Sequence, residues 1–309
     1  MLHSMAADWR SAFHPAELWR LLKDAAASYS RDRASRLGAA LAYYTIFSIV
    51  PLLVILIAII GLVFGQEAAE AAVMSQLTSL MGQHSTEAIK DMISRAQQPK
   101  TGALSTIIAA ATLLIGATGV FGQLQAALNT VWGVEEKEGR GVWGFVKDHF
   151  LSLVTVLGTG FLLLVSLMVS TALAALGKWF GGWLPLPEAV LQVFNVLLSL
   201  VVVTGLFALI FKALPKARIA WRDVWIGAAM TAILFTIGKY AIGLYLGKSP
   251  IASGFGAASS LVIVLVWVYY SAQILLYGAE LTRVYANRTG SRIQPTEDAQ
   301  PRRPSARAA

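Results

Sequence analysis

The chain contains no cysteine, which excludes disulfide staples, thiolate metal sites and a cysteine nucleophile. Charge is scarce as well. Asp, Glu, Lys and Arg make up 14% of the 309 residues, against about 25% in an average soluble domain. So few charges do not cover a water-facing surface, and this argues against a soluble globular enzyme. Histidine is just as thin: His3, His14, His84 and His149 are scattered, and no HxH, HxxxH or HExxH spacing is available to hold a catalytic metal. There is no GxSxG nucleophile elbow. The Gly/Ser-rich stretch GKSPIASGFGAASS lacks the GxxxxGK[ST] spacing of a phosphate loop, so ATP use within this chain is not expected. The first 24 residues show no apolar run ending in a small-residue cleavage site, and no cleaved signal is expected. No cofactor is implied by any of these patterns, and no enzymatic activity is expected.

What the chain has is apolar length. Hydrophobic residues account for 56% of the sequence, and the mean hydropathy is +0.63. A bilayer core about 30 Å thick needs roughly 20 apolar helical residues, and six runs meet that requirement. They lie at 38–64, 103–131, 150–176, 189–211, 224–246 and 257–281. The expected fold class is therefore all-α: a polytopic membrane protein with six transmembrane helices. The expected division is a cytoplasmic segment at 1–36, a transmembrane domain at 37–285 with an external helical loop at 66–100, and a disordered basic tail at 286–309.

Orientation follows from basic residues, which are retained on the cytoplasmic side. Arg10, Arg20, Lys23, Arg31, Arg33 and Arg36 precede the first run, and Lys137, Arg140 and Lys147 follow the second. Lys212, Lys216, Arg218 and Arg222 follow the fourth, and Arg283, Arg288, Arg292, Arg302, Arg303 and Arg307 follow the sixth. The opposite loops hold only Lys90, Arg95, Lys100, Lys178 and Lys248. Both termini are expected in the cytoplasm. A formal charge of +8 on so apolar a chain points to anionic membrane lipid as partner and not to nucleic acid.

Outside the runs, PAELWRLLKDAAASY aligns Leu18, Leu22, Ala25 and Tyr29 on one helical stripe beside basic residues, the pattern either of a helix lying in the inner membrane interface or of a short soluble helix packed on the cytoplasmic loops. Ala69, Val73, Leu77 and Leu80, then Ile89, Met92, Ile93 and Ala96, repeat at helical spacing and predict two short amphipathic helices in the first external loop. The tail SRIQPTEDAQPRRPSARAA has no apolar period and reads as disordered. No internal repeat relates the first three runs to the last three.

Polar groups inside a spanning helix are costly unless they are paired or face a wet cavity, so they mark the candidate site. In the first run Tyr44, Ser48 and Pro51 share a face with Leu41, and Pro51 removes a backbone donor and predicts a kink. That kink is either a hinge beside a cavity or a static bend. In the second, Gln125 and Asn129 lie at i, i+4 and suit interhelical hydrogen bonding. Lys239 lies about 22 Å along the fifth run, where it either snorkels to the outer headgroups or lines an outward cavity with Asn195. In the sixth, Tyr270, Gln273, Tyr277 and Glu280 fall in one narrow sector. Glu280 also has Arg283 within pairing distance at i, i+3.

The strings ALAYYTIFSIVPLL, LQAALNTVWGV, LPKARIAWRDVWIGA, SGFGAASS and WVYYSAQILLYGAE, in this order, resemble the YihY/BrkB family of bacterial inner-membrane proteins from about Arg33 to Glu280. The matching positions include Ala42, Tyr43, Ser48, Pro51, Asn129, Trp132, Pro215, Gly227, Tyr245, Gly256, Trp267, Tyr269, Gly278, Ala279 and Glu280. The resemblance implies a six-helix membrane protein with both ends inside. It also implies association with virulence and serum resistance and with transport or envelope-lipid handling. An older ribonuclease BN label attached to the family finds no support in the scattered histidines.

Two functions follow. A transporter or envelope-lipid translocator requires Tyr44, Gln273 and Glu280 to face one cavity. A non-transporting scaffold instead docks envelope proteins through the external loop and the basic termini. Gly116, Gly119 and Gly122 allow close helix packing within one protomer or between two copies.

Overall fold

The computed structural model describes residues 15–96, 119–137, 188–248, 259–288 and 290–302. Helices α1 (Pro15–Arg31), α2 (Ala34–Phe64), α3 (Gln66–Met81) and α4 (Gln83–Ala96) open the chain. A helix α5 covers 119–132 and runs into strand β1 (Val134–Glu136). Then come α6 (Glu188–Ala213), β2 (Ala217–Arg218), α7 (Trp221–Lys248), α8 (Ser259–Arg288), β3 (Gln294–Pro295) and β4 (Ala299–Pro301). The run expected at 150–176, and 103–118 of the second, lie outside the described residues.

Among the described residues, three helical stretches are long and apolar enough to cross a membrane: Val196–Ala213, Trp221–Leu246 and Leu261–Arg288. A fourth is a bent pair, Ala34–Val50 and Leu52–Leu62, meeting at 44°. The bend falls at Pro51, a residue type that has no N–H to give to the preceding helical turn. The fold is thus mostly helical.

Helix α8 is the hub and packs against α7, α2, α1 and α4. Most of its buried apolar residues serve two cores, and Ile263 packs separately with Ile242 and Leu246 of α7. In one, Ala272, Leu276 and Ala279 meet Leu128, Val131, Trp132, Phe207, Phe211 and Phe235 from α5, α6 and α7. Edge-on aromatic contacts run through it, from Trp132 to Phe211 at 6.1 Å, Phe207 to Phe235 at 5.6 Å and Phe235 to Trp267 at 6.3 Å. In the other, Val264 and Val268 join Ile46, Ile49, Val50, Leu53, Ile57 and Ile60 of α2 with Val73, Ile89 and Ile93 of α3 and α4. The two short helices expected in the first loop are therefore present, and Ala69, Val73, Ile89 and Ile93 of their apolar stripes are buried in this core. Gly65 and Gly82, at φ 86° and 81°, supply the positive φ with which α2 and α3 end, a conformation open to glycine because it has no Cβ.

Helix α1 starts on Pro15 with Glu17 in its first turn and ends on Arg31, matching the helix dipole at both ends. The helix packs on protein: of its expected stripe Ala25 is buried and Leu18, Leu22 and Tyr29 are half-buried, and Leu21 and Ser28 beside it are buried as well. The Tyr277 hydroxyl donates to the Leu22 carbonyl at 3.0 Å, and Tyr29 meets Gln273. On the opposite flank Asp24 pairs with Arg288 and Asp32, just past the helix, with Arg283. From Leu22 to Tyr29 the partner on α8 moves back only from Tyr277 to Gln273, and from Asp24 to Asp32 only from Arg288 to Arg283. Two helices lying side by side would advance together, so α1 crosses α8 instead of running along it. Trp19, Arg20 and Lys23 remain exposed.

The tail corrects the sequence reading. Residues 290–302 are not disordered: β4 pairs antiparallel with β1 and β3 with β2. The Thr296 N–H donates to the Lys216 carbonyl at 3.1 Å, the Arg302 N–H to Gly133 at 2.9 Å and the Lys137 N–H to Asp298 at 3.2 Å. Arg218 pairs with Glu297 at 2.8 Å. A ribbon held mainly by backbone groups needs no side-chain periodicity, which is why the apolar pattern did not reveal it. Together these contacts gather the ends of α5, α6, α7 and α8 and their basic flanks at one end of the bundle.

Candidate functional site: a groove beside α8

The polar sector expected on the last helix exists, but its members divide. Tyr270, Gln273 and Tyr277 line a groove of about 370 Å³ with Tyr29 of α1, Leu234, Ile237 and Gly238 of α7, and Ile274. Gly238 lets α7 approach closely, since an added Cβ would lie 3.1 Å from the Tyr270 hydroxyl and collide with Ile274. Ile237, on the groove's edge, is 63% exposed and belongs to a row with Ile233, Tyr240 and Leu244, all exposed. Spaced at i, i+4, i+7 and i+11, that row is one outward face of α7. The groove opens on this apolar face.

Its polar groups are held in place. The Tyr29 hydroxyl donates to the Gln273 side-chain carbonyl, and the Gln273 amide nitrogen donates to the Ser35 carbonyl at 3.4 Å. That amide lies against the bare backbone of Gly38, where any side chain would collide with it. The Tyr29 and Tyr277 rings meet edge to face at 6.1 Å. Burial first, and Tyr269 second, push the Tyr29 phenol up to about 12, so it remains a protonated donor at neutral pH.

Glu280 lies outside the groove. It is fully buried, 3.5 Å from Arg283, whose Nη1 also donates to Asp32 at 2.7 Å. The i, i+3 pairing thus forms, as one arm of a bridge from α8 to the α1–α2 joint. Its second oxygen, Oε1, makes no hydrogen bond.

The other candidates occupy separate places. Gln125 donates to the Leu214 carbonyl at 2.8 Å, and the Asn129 side-chain carbonyl accepts from the Lys216 N–H at 2.8 Å. Both fasten the α6–α7 connection to α5. Ser48 bonds back to the Tyr44 carbonyl at 2.8 Å. Tyr44 is half exposed, edge-on to Tyr43 at 5.8 Å, with its ring against Gly119. Pro51 marks the bend, its side chain outside what is described, as is that of Asn195. Lys239 is half-buried, its Nζ 5.4 Å from the Tyr240 ring centroid. Among the described residues, then, Gln273 lines the groove, while Glu280 pairs with Arg283 and Tyr44 lies against Gly119.

Two features escaped the sequence reading. Tyr29 was part of an apolar stripe, and only the crossing of α1 turns its hydroxyl onto Gln273. An apolar cavity of about 260 Å³ among α2, α5, α6, α7 and α8, touched by Leu41, Thr45, Leu124, Phe207, Phe235 and Ser271, has residues too ordinary to signal it. Among the described residues, no group of three or more His, Cys, Asp or Glu gathers as a metal site.

A family model described as "Virulence factor BrkB" matches residues 25–303. Among similar proteins, a UPF0761 membrane protein of Chromohalobacter salexigens is 27% identical over 85% of this chain and 62% of its own length. A UPF0761 membrane protein of Cronobacter sakazakii is 28% identical over 81% of this chain and 83% of its own, and one of Vibrio vulnificus 28% identical over 88% and 83%. The chain spans about three-fifths of the length of the Chromohalobacter relative. No solved structure matches it.

Proposed function

The chain belongs to the BrkB virulence factor family, and from that premise we propose that it is a cytoplasmic-membrane protein that translocates an amphiphile, an envelope lipid, along the groove beside α8. In this reading the basic end faces the cytoplasm and anionic lipids are its partners. The observation that carries the proposal is the lateral opening. Tyr270, Gln273 and Tyr277 stand at the back of a groove whose lip, Ile237, continues into the exposed apolar row of α7. Such a groove lets acyl chains stay in lipid while the polar end trades water for hydroxyl and amide groups. An aqueous solute would need a closed polar path instead.

The scaffold reading keeps one observation on its side: Gln125, Asn129 and Arg283 all tie elements of the bundle together.

The test is lipid crossing in liposomes carrying a headgroup-labelled phospholipid, with wild type, Gln273→Leu, Glu280→Ala and empty vesicles. Crossing should exceed that of empty vesicles and fall with Gln273→Leu. Glu280→Ala, outside the groove, should matter only through folding. Crossing no faster than in empty vesicles would leave the scaffold as the better reading.

A further inference from the structure

Across α1 from the groove lies a second cavity of about 360 Å³. Asp24, Ser28 and Arg31 of α1 face Arg283, Asn287 and Arg288 of α8 across it. Three guanidinium groups thus line it against a single carboxylate. Arg288 pairs with Asp24, Arg283 with Asp32 at 2.7 Å, and Arg31 donates to Ser28 Oγ at 2.7 Å, one turn back on its own helix. Each guanidinium carries five N–H donors, more than these partners take up. Arg31 and Arg288, both exposed, flank the opening.

Depth decides what such a cavity meets. The apolar stretch Leu261–Arg288 has 28 residues, about 42 Å of helix, against about 30 Å of hydrocarbon and about 40–45 Å with headgroups. With the stretch centred on the bilayer, Tyr270 to Tyr277 fall within the hydrocarbon, Arg283 comes to its edge and Arg288 falls in the headgroup layer. Trp19, 69% exposed, and the exposed Arg20 and Lys23 on α1 are side chains suited to the same layer.

We propose that the cavity between α1 and the end of α8 is a phosphate-binding site, taking the phosphodiester of an anionic lipid headgroup or a free phosphate. Arginine suits this role because its planar fork meets phosphate oxygens in pairs. The site lies on the opposite flank of α1 from the groove, so it stands whether or not the groove moves lipid.

The experiment is calorimetric titration of the full chain in a phosphate-free maltoside detergent with dioctanoyl phosphatidylglycerol, dioctanoylglycerol and inorganic phosphate. Dioctanoyl phosphatidylglycerol should bind and dioctanoylglycerol should not. Arg31→Gln should weaken binding by about ten-fold, the scale of one charge-assisted contact. Arg31→Lys should fall between, and Lys137→Gln, at the same end but outside the cavity, should match wild type. Inorganic phosphate binding as tightly as the lipid would identify the soluble source of the same chemistry. Arg31→Gln folds independently of any long-range pair, because its partner is local, and monodisperse elution checks this. Equal affinity for dioctanoylglycerol and dioctanoyl phosphatidylglycerol would overturn the proposal, as would Arg31→Gln weakening binding no more than Lys137→Gln.

Discussion

Thr231 of α7 occupies the space that Gly278 of α8 leaves by having no Cβ, and the arrangement is reciprocal: Thr282 of α8 fills the corresponding space at Gly227 of α7. Each threonine hydroxyl donates to the glycine carbonyl four residues earlier on its own helix, Thr231 to Gly227 at 2.7 Å and Thr282 to Gly278 at 2.8 Å. All their polar groups are thereby satisfied within the helices, and the two backbones come close with only methyl and hydroxyl groups between them. The lock holds α7 and α8 antiparallel in one register. One to two turns farther along α7 and α8 the same pair of helices forms the wall of the groove.

Gly278→Val should therefore force the helices apart. Overpacking costs about 1 to 3 kcal/mol, which should appear as a lowered thermal midpoint in detergent. Gly278→Val combined with Thr231→Gly should recover much of the loss, because the threonine that the valine strikes is gone. A midpoint unchanged by Gly278→Val would mean that the helices do not meet there.

Asn129 supports a different joint. It is buried, and its side-chain carbonyl accepts from the Lys216 N–H. Asn129→Leu should leave that backbone donor without a partner, at about 1 to 3 kcal/mol. Asn129→Asp, which keeps an acceptor oxygen, should cost less. Gln125→Leu should be milder than Asn129→Leu, since its bond to Leu214 is only part-buried. Thermal unfolding of the three variants gives the order, and equal midpoints would remove Asn129 from this role.

The tail ribbon makes a prediction for hydrogen exchange. The Lys137 N–H is held by the Asp298 carbonyl, so removing residues 290–309 should speed exchange at Lys137. Amides inside α8, such as Leu276, should keep their protection because their bonds are intrahelical. Lys137 exchanging at the same rate with and without the tail would mean that the ribbon does not persist in solution.

The sequence by itself determined the class of protein and most of its helices. Apolar run length marked α2, α6, α7 and α8 to within a few residues at most ends, because a bilayer demands about 20 apolar residues per span and composition records that demand directly. The exception was the end of α8, which continues to Arg288 past the run expected to end at 281, because Arg283 and Arg288 interrupt the apolar pattern there. The 3.6-residue period placed Tyr270, Gln273 and Tyr277 on one face of α8, and proline chemistry placed the bend at Pro51. What tertiary structure alone decided was which polar groups meet. Glu280 shares the angular sector of Gln273, yet one faces Arg283 and Asp32 while the other faces Tyr29, because α1 crosses α8 between them. Periodicity fixes a side chain's direction about its own helix and carries no information on what lies in that direction. The tail ribbon was hidden for a related reason: backbone hydrogen bonds are common to every residue, so Gln294–Pro295 and Ala299–Pro301 found their partners only once the ends of α5, α6 and α7 stood beside them.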